Sequence, residues 1–538
     1  MATATCLLLQ YLVVATTRAS SLLRKKICTE NLRRFMLDSC THDSKPASAS
    51  RRRYYVPPFV AETSEDAGAR TASSGVRFEP TMVSPDVVRA VGAEIVVEVS
   101  GAEVLLLDAT ESEKAEIEKR THVRLFKNLT YEFAVASPLF SENEAVAASP
   151  SANLRGTNPY VFRIMDITGT AIRGARVEVY LKDTNTPAVG ITDKNGMVSL
   201  SLRASSATEV HVHPNENYWS TYLVDVSSST AARALTLEQI EVPYQDSLRH
   251  FCKPEGGLNG TGVRIAVIDS GINRHAELPD INKGLCIVDG KFSEDFLDNG
   301  MNHGTHVAGI IAGQGKGVRG IAPGVTLMSY RVFAKDSRKA QTLDITTAIQ
   351  RAVDDGADII NLSLSLADDD KDEDGMRLAI DYAVDSGVLV VAAAGNHSCG
   401  EMRIPARYDD VVAVSALGLK DAHAPASTFA LDLHHCINAE REFVPDFSNY
   451  CDTQLNLAAP GFAVVSTVEL AGFRAMSGTS MATAVISGIA ARFLSKHPDL
   501  VGFQRSPERM SKLKDLLYSS AVTLDLASRF VGHGLPQL

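Results

Sequence analysis

The fold of the C-terminal half is indicated by Ile265-Ala266-Val267-Ile268-Asp269-Ser270-Gly271, an apolar run that ends on a carboxylate and a turn. Such a run, bounded by polar residues and Gly, is typical of a strand that is buried on both faces. Similar runs alternate with helical periodicity from Gly262 onward. The alternation predicts an α/β fold with a doubly wound, mainly parallel sheet, whose functional groups lie at the carboxyl ends of the strands.

The elements predicted for this half follow the same alternation. The predicted strands are Val263–Ile268, Val325–Tyr330, Asp358–Leu362, Val388–Ala394, Val411–Val414 and Ala463–Thr467. The predicted helices are Asp344–Asp354, Met376–Val384 and Ser480–Lys496.

Three segments of this half carry residues suited to nucleophilic catalysis. Asp269 ends a strand, where its carboxylate can accept a hydrogen bond from an imidazole. His303 and His306 open a helix rich in small residues, and Ser480 opens an apolar helix whose free amides favour negative charge. Taken singly, each has a simpler explanation, because an Asp caps turns, a His pair can ligate a metal and a Ser caps helices. The His-Glu-x-x-His pattern of zinc proteases is absent, and no metal site is assigned.

Taken in order, the three segments resemble the subtilase family, in which Asp precedes His and His precedes Ser. The resemblance covers about Gly262 to Leu538. It rests on the three segments and on Gly320-Ile321-Ala322-Pro323, Asp358-Ile359-Ile360-Asn361-Leu362-Ser363, Ala392-Ala393-Ala394-Gly395-Asn396, Ile404-Pro405-Ala406, Phe447-Ser448-Asn449, Leu457-Ala458-Ala459-Pro460-Gly461 and Gly532-His533-Gly534-Leu535.

The resemblance implies a serine endopeptidase that acts through an acyl-enzyme, with a triad of Asp269, His303 and Ser480. His303 rather than His306 is then the base, because it directly precedes Gly-Thr-His. Asn396 matches the family's side-chain donor to the oxyanion. The alternative is a catalytically silent subtilase-like scaffold that binds peptides. An esterase is disfavoured, because the serine does not lie in a Gly-x-Ser-x-Gly motif.

The resemblance also places the substrate groove. Peptide substrates are expected to add as a strand along Ser363, Leu364 and Ser365, with Gly395 beside them. Ser365 stands where the family usually has Gly, which predicts a narrower pocket. Ala484 and Val485 stand where the family usually has Pro and His, which predicts a different bend in the nucleophile's helix.

No cofactor is expected for the chemistry. Calcium is common in subtilases, so structural calcium is kept open without ligands. The acidic stretch Asp370-Lys371-Asp372-Glu373-Asp374-Gly375 resembles a calcium loop, but Asp381 stands at its twelfth position instead of Glu. A solvated acidic turn before a helix is the simpler interpretation.

Four parts of the chain are distinguished by composition and period. Residues 1–75 are expected to be a targeting or disordered segment, residues 76–140 a small α+β module resembling a pro-domain, residues 155–228 an Ig-like or carboxypeptidase-regulatory-like β-sandwich, and residues 245–538 the peptidase. The strand expected at Thr130–Val135 closes the α+β module. If a pro-segment is removed, a cut near Ala136 or between Val226 and Leu258 fits, and the sequence selects neither.

Composition limits the partners. The net charge of −11 and pI near 5.7 argue against nucleic acid, and no apolar run is long enough to span a membrane. The run from Cys6 to Ala15 resembles a signal-peptide core, which favours secretion or the cell envelope, with an organellar or cytoplasmic location as alternatives. The eight cysteines are too sparse for a disulfide scaffold; Cys436 and Cys451 are the one pair considered, against buried free thiols. The oligomeric state is left open.

Overall fold

The structure is a computed structural model that describes residues 51–56, 60–61, 78–79, 83–99, 103–135, 154–182, 184, 186–241, 247–252, 259–315, 317–367, 374–398, 400–432, 434–450, 456–469, 471–497, 500 and 505–537. All elements described below lie in the unit Arg52–Leu538. Among the described residues, no helix is long and apolar enough to cross a bilayer.

An antiparallel sheet and two helices form the first part of this unit. The strands are β1 (Arg52–Tyr55), β2 (Val60–Ala61), β3 (Phe78–Glu79), β4 (Glu94–Val99), β5 (Glu103–Ala109), β6 (Phe126–Lys127) and β7 (Thr130–Phe133), and the helices are α1 (Pro85–Val91) and α2 (Glu111–Thr121). The sheet has the order β4-β5-β1-β6. Helix α2 begins at a capping box in which Thr110 and Glu113 satisfy each other's backbone amides, so its start was readable from sequence.

Two of these strands differ from the sequence expectation. Strand β1 falls inside the segment 1–75 that was expected to be a targeting or disordered segment, yet it pairs with β5 and β6 and its Tyr54 and Tyr55 are fully buried. Because three arginines directly precede these two tyrosines, the sequence shows no apolar alternation that would predict a strand here. Strand β7 does not close the first sheet, because it pairs instead with two strands of the C-terminal half.

The middle part consists of two sheets that share one apolar core. Its strands are β8 (Arg155–Asp166), β9 (Arg176–Tyr180), β10 (Ala188–Ile191), β11 (Met197–Leu202), β12 (Ser206–His213), β13 (Thr221–Ser227) and β14 (Ser229–Leu237). They form sheets with the orders β10-β9-β12-β13 and β11-β8-β14. The core includes Phe162, Val177, Val179, Val210 and Val212. The last two strands carry little apolar alternation and were not predicted.

The C-terminal half is built on a largely parallel sheet. The strands are β15 (Arg264–Asp269), β16 (Gly284–Val288), β17 (Lys291–Ser293), β18 (Thr326–Arg331), β19 (Lys339–Gln341), β20 (Ile359–Leu362), β21 (Leu364–Leu366), β22 (Leu389–Ala393), β23 (Val412–Leu419), β24 (His434–Ile437), β25 (Glu442–Pro445), β26 (Asn456–Pro460), β27 (Val464–Thr467), β28 (Phe473–Met476), β29 (Ala521–Val522) and β30 (Leu535–Pro536). The helices are α3 (Ser247–Phe251), α4 (His303–Ala312), α5 (Thr342–Asp354), α6 (Asp374–Asp385), α7 (Thr479–Lys496), α8 (Pro507–Ser519) and α9 (Ser528–Val531).

Strands β16, β18, β15, β20, β22, β23 and β26 are parallel neighbours in that order. The chain order reverses around β15, so the sheet has a switch point beside the end of that strand. The α/β expectation for this half is confirmed. One detail was wrong, since the predicted strand Ala463–Thr467 is not in the sheet: β27 forms a hairpin with β28, and β26 takes the edge position.

Candidate active site

Asp269 and His303 meet at the carboxyl end of the sheet. Asp269 is the last residue of β15 and His303 the first of α4, and both side chains are 1% exposed. Asp269 Oδ1 lies 2.7 Å from His303 Nδ1. His303 Nε2 is buried and has no hydrogen-bond partner among the described residues. A carboxylate on Nδ1 fixes the tautomer that leaves Nε2 as the basic nitrogen.

The helix of His303 can approach β15 closely because Gly304 has no side chain. A Cβ at Gly304 would lie 2.3 Å from the carbonyl oxygen of Gly271, well inside van der Waals contact. The backbone amide of Gly304 donates to Ser270 Oγ over 2.8 Å. These contacts set the position of the His303 side chain relative to Asp269.

A second carboxylate supports this corner of the site. Asp298 accepts hydrogen bonds from Ser270 Oγ, at 2.6 Å, and from the backbone amides of Gly300 and Asn302. Burial raises the pKa of Asp298 to about 6, against the lowering effect of those three hydrogen bonds. The network links the turn after β15 to the start of α4.

Ser480 is fully buried at the second residue of α7. Its Oγ donates to the backbone carbonyl of Ser363 over 2.9 Å, and Ser363 Oγ donates to the carbonyl of Ser480 over 3.0 Å. The first turn of a helix has backbone amides without intrahelical partners, and α7 directs this end toward the groove. The serine therefore lies where a developing oxyanion would be stabilised.

Asn396 presents a free donor beside Ser480. Its Oδ1 accepts hydrogen bonds from the backbone amide and the hydroxyl of Thr479, each over 3.0 Å. Its Nδ2 is buried and has no hydrogen-bond partner in the described part of the chain. The amide is thus held by its oxygen, with both N–H groups available to an incoming carbonyl oxygen.

The groove is occupied by the protein's own strand β7. This strand lies between β19 and β21 and is antiparallel to both. Leu364 pairs with Phe133 and Ser365 with Glu132. The segment predicted to receive a substrate strand thus receives residues 130–133 of the same chain.

The contacts of β7 continue into the catalytic corner. The backbone amide of Ala134 donates to the Ser363 carbonyl over 3.2 Å, and the Ser480 amide donates to the Ala134 carbonyl over 3.0 Å. A Cβ at Gly478 would lie 2.3 Å from the same carbonyl oxygen. The peptide bond between Ala134 and Val135 therefore lies at Ser480, with its carbonyl oxygen bonded to the amide at the start of α7.

Aromatic packing holds this strand end. The ring of Phe133 stacks on the imidazole of His303 with 4.4 Å between centroids and contacts Phe333 at 4.0 Å. Tyr131 is fully buried. Ala134 and Phe133 were not among the predicted site residues, because the alternation of Tyr131 and Phe133 indicates a half-buried strand without revealing what covers it.

The second histidine of α4 has a different environment. His306 Nε2 lies 3.0 Å from the backbone carbonyls of both Val464 and Arg474, so it donates to the β27–β28 hairpin. Burial lowers the pKa of His306 to about 3, which keeps its ring neutral. His306 is a packing residue in this structure, and it is His303 that faces Asp269.

The departures from the family pattern lie in or beside the groove. Ser365 is buried and pairs with Glu132, at the position where a narrower pocket was predicted. Ala484 and Val485 are fully buried within α7, which runs without interruption from Thr479 to Lys496. Gly395 has φ of 105°; its amide donates to Thr479 Oγ1 and its carbonyl accepts from the Asn449 amide, so both contacts hold the loop that carries Asn396.

Two expectations fall outside the described residues. Most of the acidic stretch at 370–375 and the side chains of Cys436 and Cys451 belong to that part of the chain. Among the described cysteines, Cys286 is a buried free thiol.

Comparison with known proteins agrees with this geometry. Residues 260–534 match the model of the subtilase family, Peptidase S8. The chain is 35% identical over 281 residues to alkaline elastase YaB of Bacillus sp. (strain YaB), which covers 52% of this chain and 64% of the relative. It is 32% identical over 392 residues to the halolysin-like extracellular serine protease Nep of Natrialba magadii, which covers 68% of this chain and 65% of the relative.

A third relative is matched over nearly its whole length. Subtilisin DY of Bacillus licheniformis is 33% identical over 302 residues, which are 55% of this chain and 96% of the relative. The chain spans slightly less than two thirds of the elastase and of the halolysin-like protease.

Proposed function

Because the chain belongs to the subtilase family of serine endopeptidases, we propose that it hydrolyses peptide bonds with Ser480 as nucleophile, His303 as base and Asp269 as the carboxylate that orients His303. The contact that supports this most is the 3.0 Å hydrogen bond from the Ser480 amide to the Ala134 carbonyl. A scissile carbonyl bound in an oxyanion hole makes the same contact.

The proposed chemistry uses the two buried atoms that have no hydrogen-bond partner in the described structure, His303 Nε2 and Asn396 Nδ2. Ser480 Oγ turns from the Ser363 carbonyl toward His303 Nε2, which takes its proton as Oγ attacks the peptide carbonyl carbon. The negative charge that develops on the carbonyl oxygen is stabilised by the Ser480 amide and Asn396 Nδ2. Asp269 accepts from Nδ1–H and stabilises the imidazolium.

The second half of the reaction reverses the proton's path. The C–N bond breaks as His303 gives its proton to the leaving amine, and an ester of Ser480 remains. Water then attacks this ester with His303 again as base, which releases the acid and restores the hydroxyl. No metal or cofactor takes part in these steps.

In its present form the enzyme is latent. Strand β7 and the following Ala134 fill the groove, so another peptide cannot bind there until they leave. Residues 52–134 then act as an inhibitory pro-domain, and the bond between Ala134 and Val135 is the one that Ser480 is placed to cut. The cut would fall near the predicted position at Ala136, and it would leave the sandwich of residues 155–237 attached to the peptidase.

Peptide substrates would replace β7 as a strand between β19 and β21. Backbone pairing of this kind supplies affinity with little dependence on sequence. Extracellular action fits the relatives, because the printed name of the relative from Natrialba magadii describes an extracellular protease. We therefore place the mature protein outside the cell or in the cell envelope.

A catalytically silent peptide-binding scaffold is the competing function. It would need the groove between β19 and β21, but it would not need a carboxylate on His303 or a free donor at Asn396. The presence of both beside the serine favours the enzyme.

The test compares wild type with Ser480→Ala and with Ser495→Ala on unfolded casein and a fluorophosphonate probe. Ser495 lies near the other end of α7 and its hydroxyl donates to the Arg492 carbonyl, so it controls for loss of a hydroxyl from the helix. Labelling and hydrolysis are expected in wild type and Ser495→Ala and not in Ser480→Ala. Folded wild type that neither labels nor cleaves after removal of residues 1–134 would favour the scaffold.

A further inference from the structure

The outer face of the β9–β12 pair carries a cluster of ligating side chains away from the catalytic centre. Glu178 of β9 lies directly opposite His211 of β12 in the ladder, and His213 is the next residue on the same face. Their chain neighbours Val177, Val179, Val210 and Val212 turn into the apolar core between the two sheets. The three polar side chains therefore share the face that a sandwich normally exposes to water.

This face is nevertheless buried. The exposed fractions are 0% for Glu178, 7% for His211 and 2% for His213. Nδ1 of His211 and both ring nitrogens of His213 are buried without a hydrogen-bond partner in the described part of the chain. An unsatisfied buried polar atom costs about 1–3 kcal/mol, so three of them in adjacent imidazoles call for a ligand.

The spacing of the three side chains is close to that of a coordination shell. One ligand atom from each of Glu178, His211 and His213 lies within 4.8 Å of the others, and His213 Nε2 is 3.8 Å from Glu178 Oε2. Tetrahedral zinc with ligands at about 2.0–2.1 Å places them roughly 3.3 Å apart, so small side-chain rotations close the shell.

The groups around the cluster suit this role. Glu178 Oε1 accepts from Arg176 Nε and Oε2 from the Tyr180 hydroxyl, each over 2.7 Å, and each oxygen keeps a lone pair. Glu209 Oε2 lies 2.8 Å from His211 Nε2, which leaves His211 Nδ1 as the ligating nitrogen. A carboxylate on the far nitrogen of a metal-bound histidine is the usual outer contact in zinc sites.

The charges on this face also allow a divalent cation. Glu178 and Glu209 supply two negative charges, Arg176 supplies one positive charge, and Arg474 acts on His213 from β28. With a divalent ion bound, the formal charges of the two carboxylates, Arg176 and the ion sum to plus one. A hydroxide as the fourth ligand would neutralise this charge, and a water would leave it unchanged.

We propose that Glu178, His211 and His213 form a binding site for a divalent transition metal, with zinc as the ion that the His₂Glu donor set and tetrahedral spacing favour. The ion would join β9 to β12 next to the point where this sheet meets the peptidase. There, Arg474 Nε donates to the Asn215 carbonyl, and Asn217 exchanges hydrogen bonds with Phe473. The metal would be structural, since the contacts described for the three ligands are with Arg176, Tyr180, Glu209 and Tyr222 of the same sheet.

The experiment uses the full chain as its Ser480→Ala form, untagged, so that self-cleavage does not change the sample. Protein stripped with a chelator is titrated with Zn²⁺ by calorimetry, and with Co²⁺ by visible absorption, which reports a tetrahedral N/O shell. The test variants are Glu178→Gln, which keeps the shape of the side chain, and His213→Asn. The control is His250→Ala, because His250 also pairs with a carboxylate, Glu442, at 2.8 Å but belongs to no three-ligand cluster among the described residues.

One zinc per chain, a cobalt spectrum of tetrahedral intensity and a higher melting temperature with metal are the expected results, all retained in His250→Ala. Glu178→Gln should weaken zinc at least tenfold while keeping the circular dichroism of the parent. Absence of stoichiometric binding to the folded parent, or equal binding by the parent and both test variants, would overturn the site. Neither outcome bears on hydrolysis by Ser480.

Discussion

The polar atoms that have no partner are the informative ones in this site. His303 Nε2 and Asn396 Nδ2 are both buried and unpaired in the described structure, and Asn396 is bonded to Thr479, the residue before Ser480. Unsatisfied buried groups persist where function requires them, because each costs stability. At the residue scale, the site is therefore prepared for a proton and for an oxyanion.

Substitutions of Asn396 test its role as a donor to the oxyanion. Asn396→Leu and Asn396→Asp should both lower kcat on the order of a hundred- to a thousandfold with little change in KM, the magnitude found for this kind of donor in subtilisin. Steady-state kinetics on a peptide ester measures the effect. Asp keeps the oxygen that accepts from Thr479 but not the donor, so normal kcat in Asn396→Asp would mean that Asn396 only positions Thr479.

Asp298 predicts a pH dependence of stability. Its pKa in the folded protein is about 6, above the ordinary 3.8, so the folded state favours the protonated acid. The stability from this group is fully present below pH 4 and is lost as the pH rises through 6. In the Ser480→Ala background, Asp298→Asn should flatten the fall in melting temperature between pH 5 and pH 8. An unchanged slope would contradict the raised pKa.

The elements that position the site depend on close backbone approach. Helix α4 can approach β15 because Gly304 has no side chain. Gly309 of the same helix lies against β27, where an added Cβ would be 2.2 Å from Ser466 Oγ. Helix α7 is buried along nearly its whole length, so its start is fixed by the sheet. Small displacements of either helix would separate Ser480 from His303.

Gly304→Ala measures that dependence. The added methyl group should cost about 1–3 kcal/mol of stability by overpacking and should lower kcat, because His303 shifts with the helix. Thermal melting and kinetics are compared with Gly400→Ala, whose new Cβ would meet its neighbours at ordinary contact distances of 3.4 Å or more. Equal losses of stability and kcat in the two variants would contradict the claim that close packing at Gly304 positions His303.

Strand β7 makes a prediction about self-cleavage. Ala134→Pro removes the amide that donates to the Ser363 carbonyl, so the chain should stay uncut and inactive. Ala134→Gly keeps that amide and should be processed like wild type. Gel analysis after expression separates the two outcomes, and cleavage of the proline variant at the same bond would contradict the placement.

Local features of the fold could be predicted from the sequence, whereas contacts between residues far apart in the chain could not. The strand end that carries Asp269 and the helix start that carries His303 follow from local apolar runs and small residues, and the α/β fold follows from the alternation of strands and helices. The pairing of β7 with β19 and β21 joins residues far apart in sequence, and no local period encodes it. The same holds for Ser270 and Asp298, whose roles depend on a network formed only in the folded protein.

At the scale of the whole molecule, one chain supplies both the groove and the strand that fills it. The first sheet leads into β7, β7 occupies the groove, and the sandwich of β8–β14 follows before the peptidase. A cut after Ala134 would separate the occupant from everything that follows it. Because β7 precedes both the sandwich and the peptidase domain, hydrolysis of this one peptide bond would allow β7 to leave the groove.

The most direct test of this account is the intact mass and N-terminal sequence of the purified protein, for wild type beside Ser480→Ala. Wild type should begin at Val135, with residues up to Ala134 recovered as a separate fragment or degraded, and Ser480→Ala should keep its bond between Ala134 and Val135. A folded wild type whose Ala134–Val135 bond is as intact as that of the variant would contradict it.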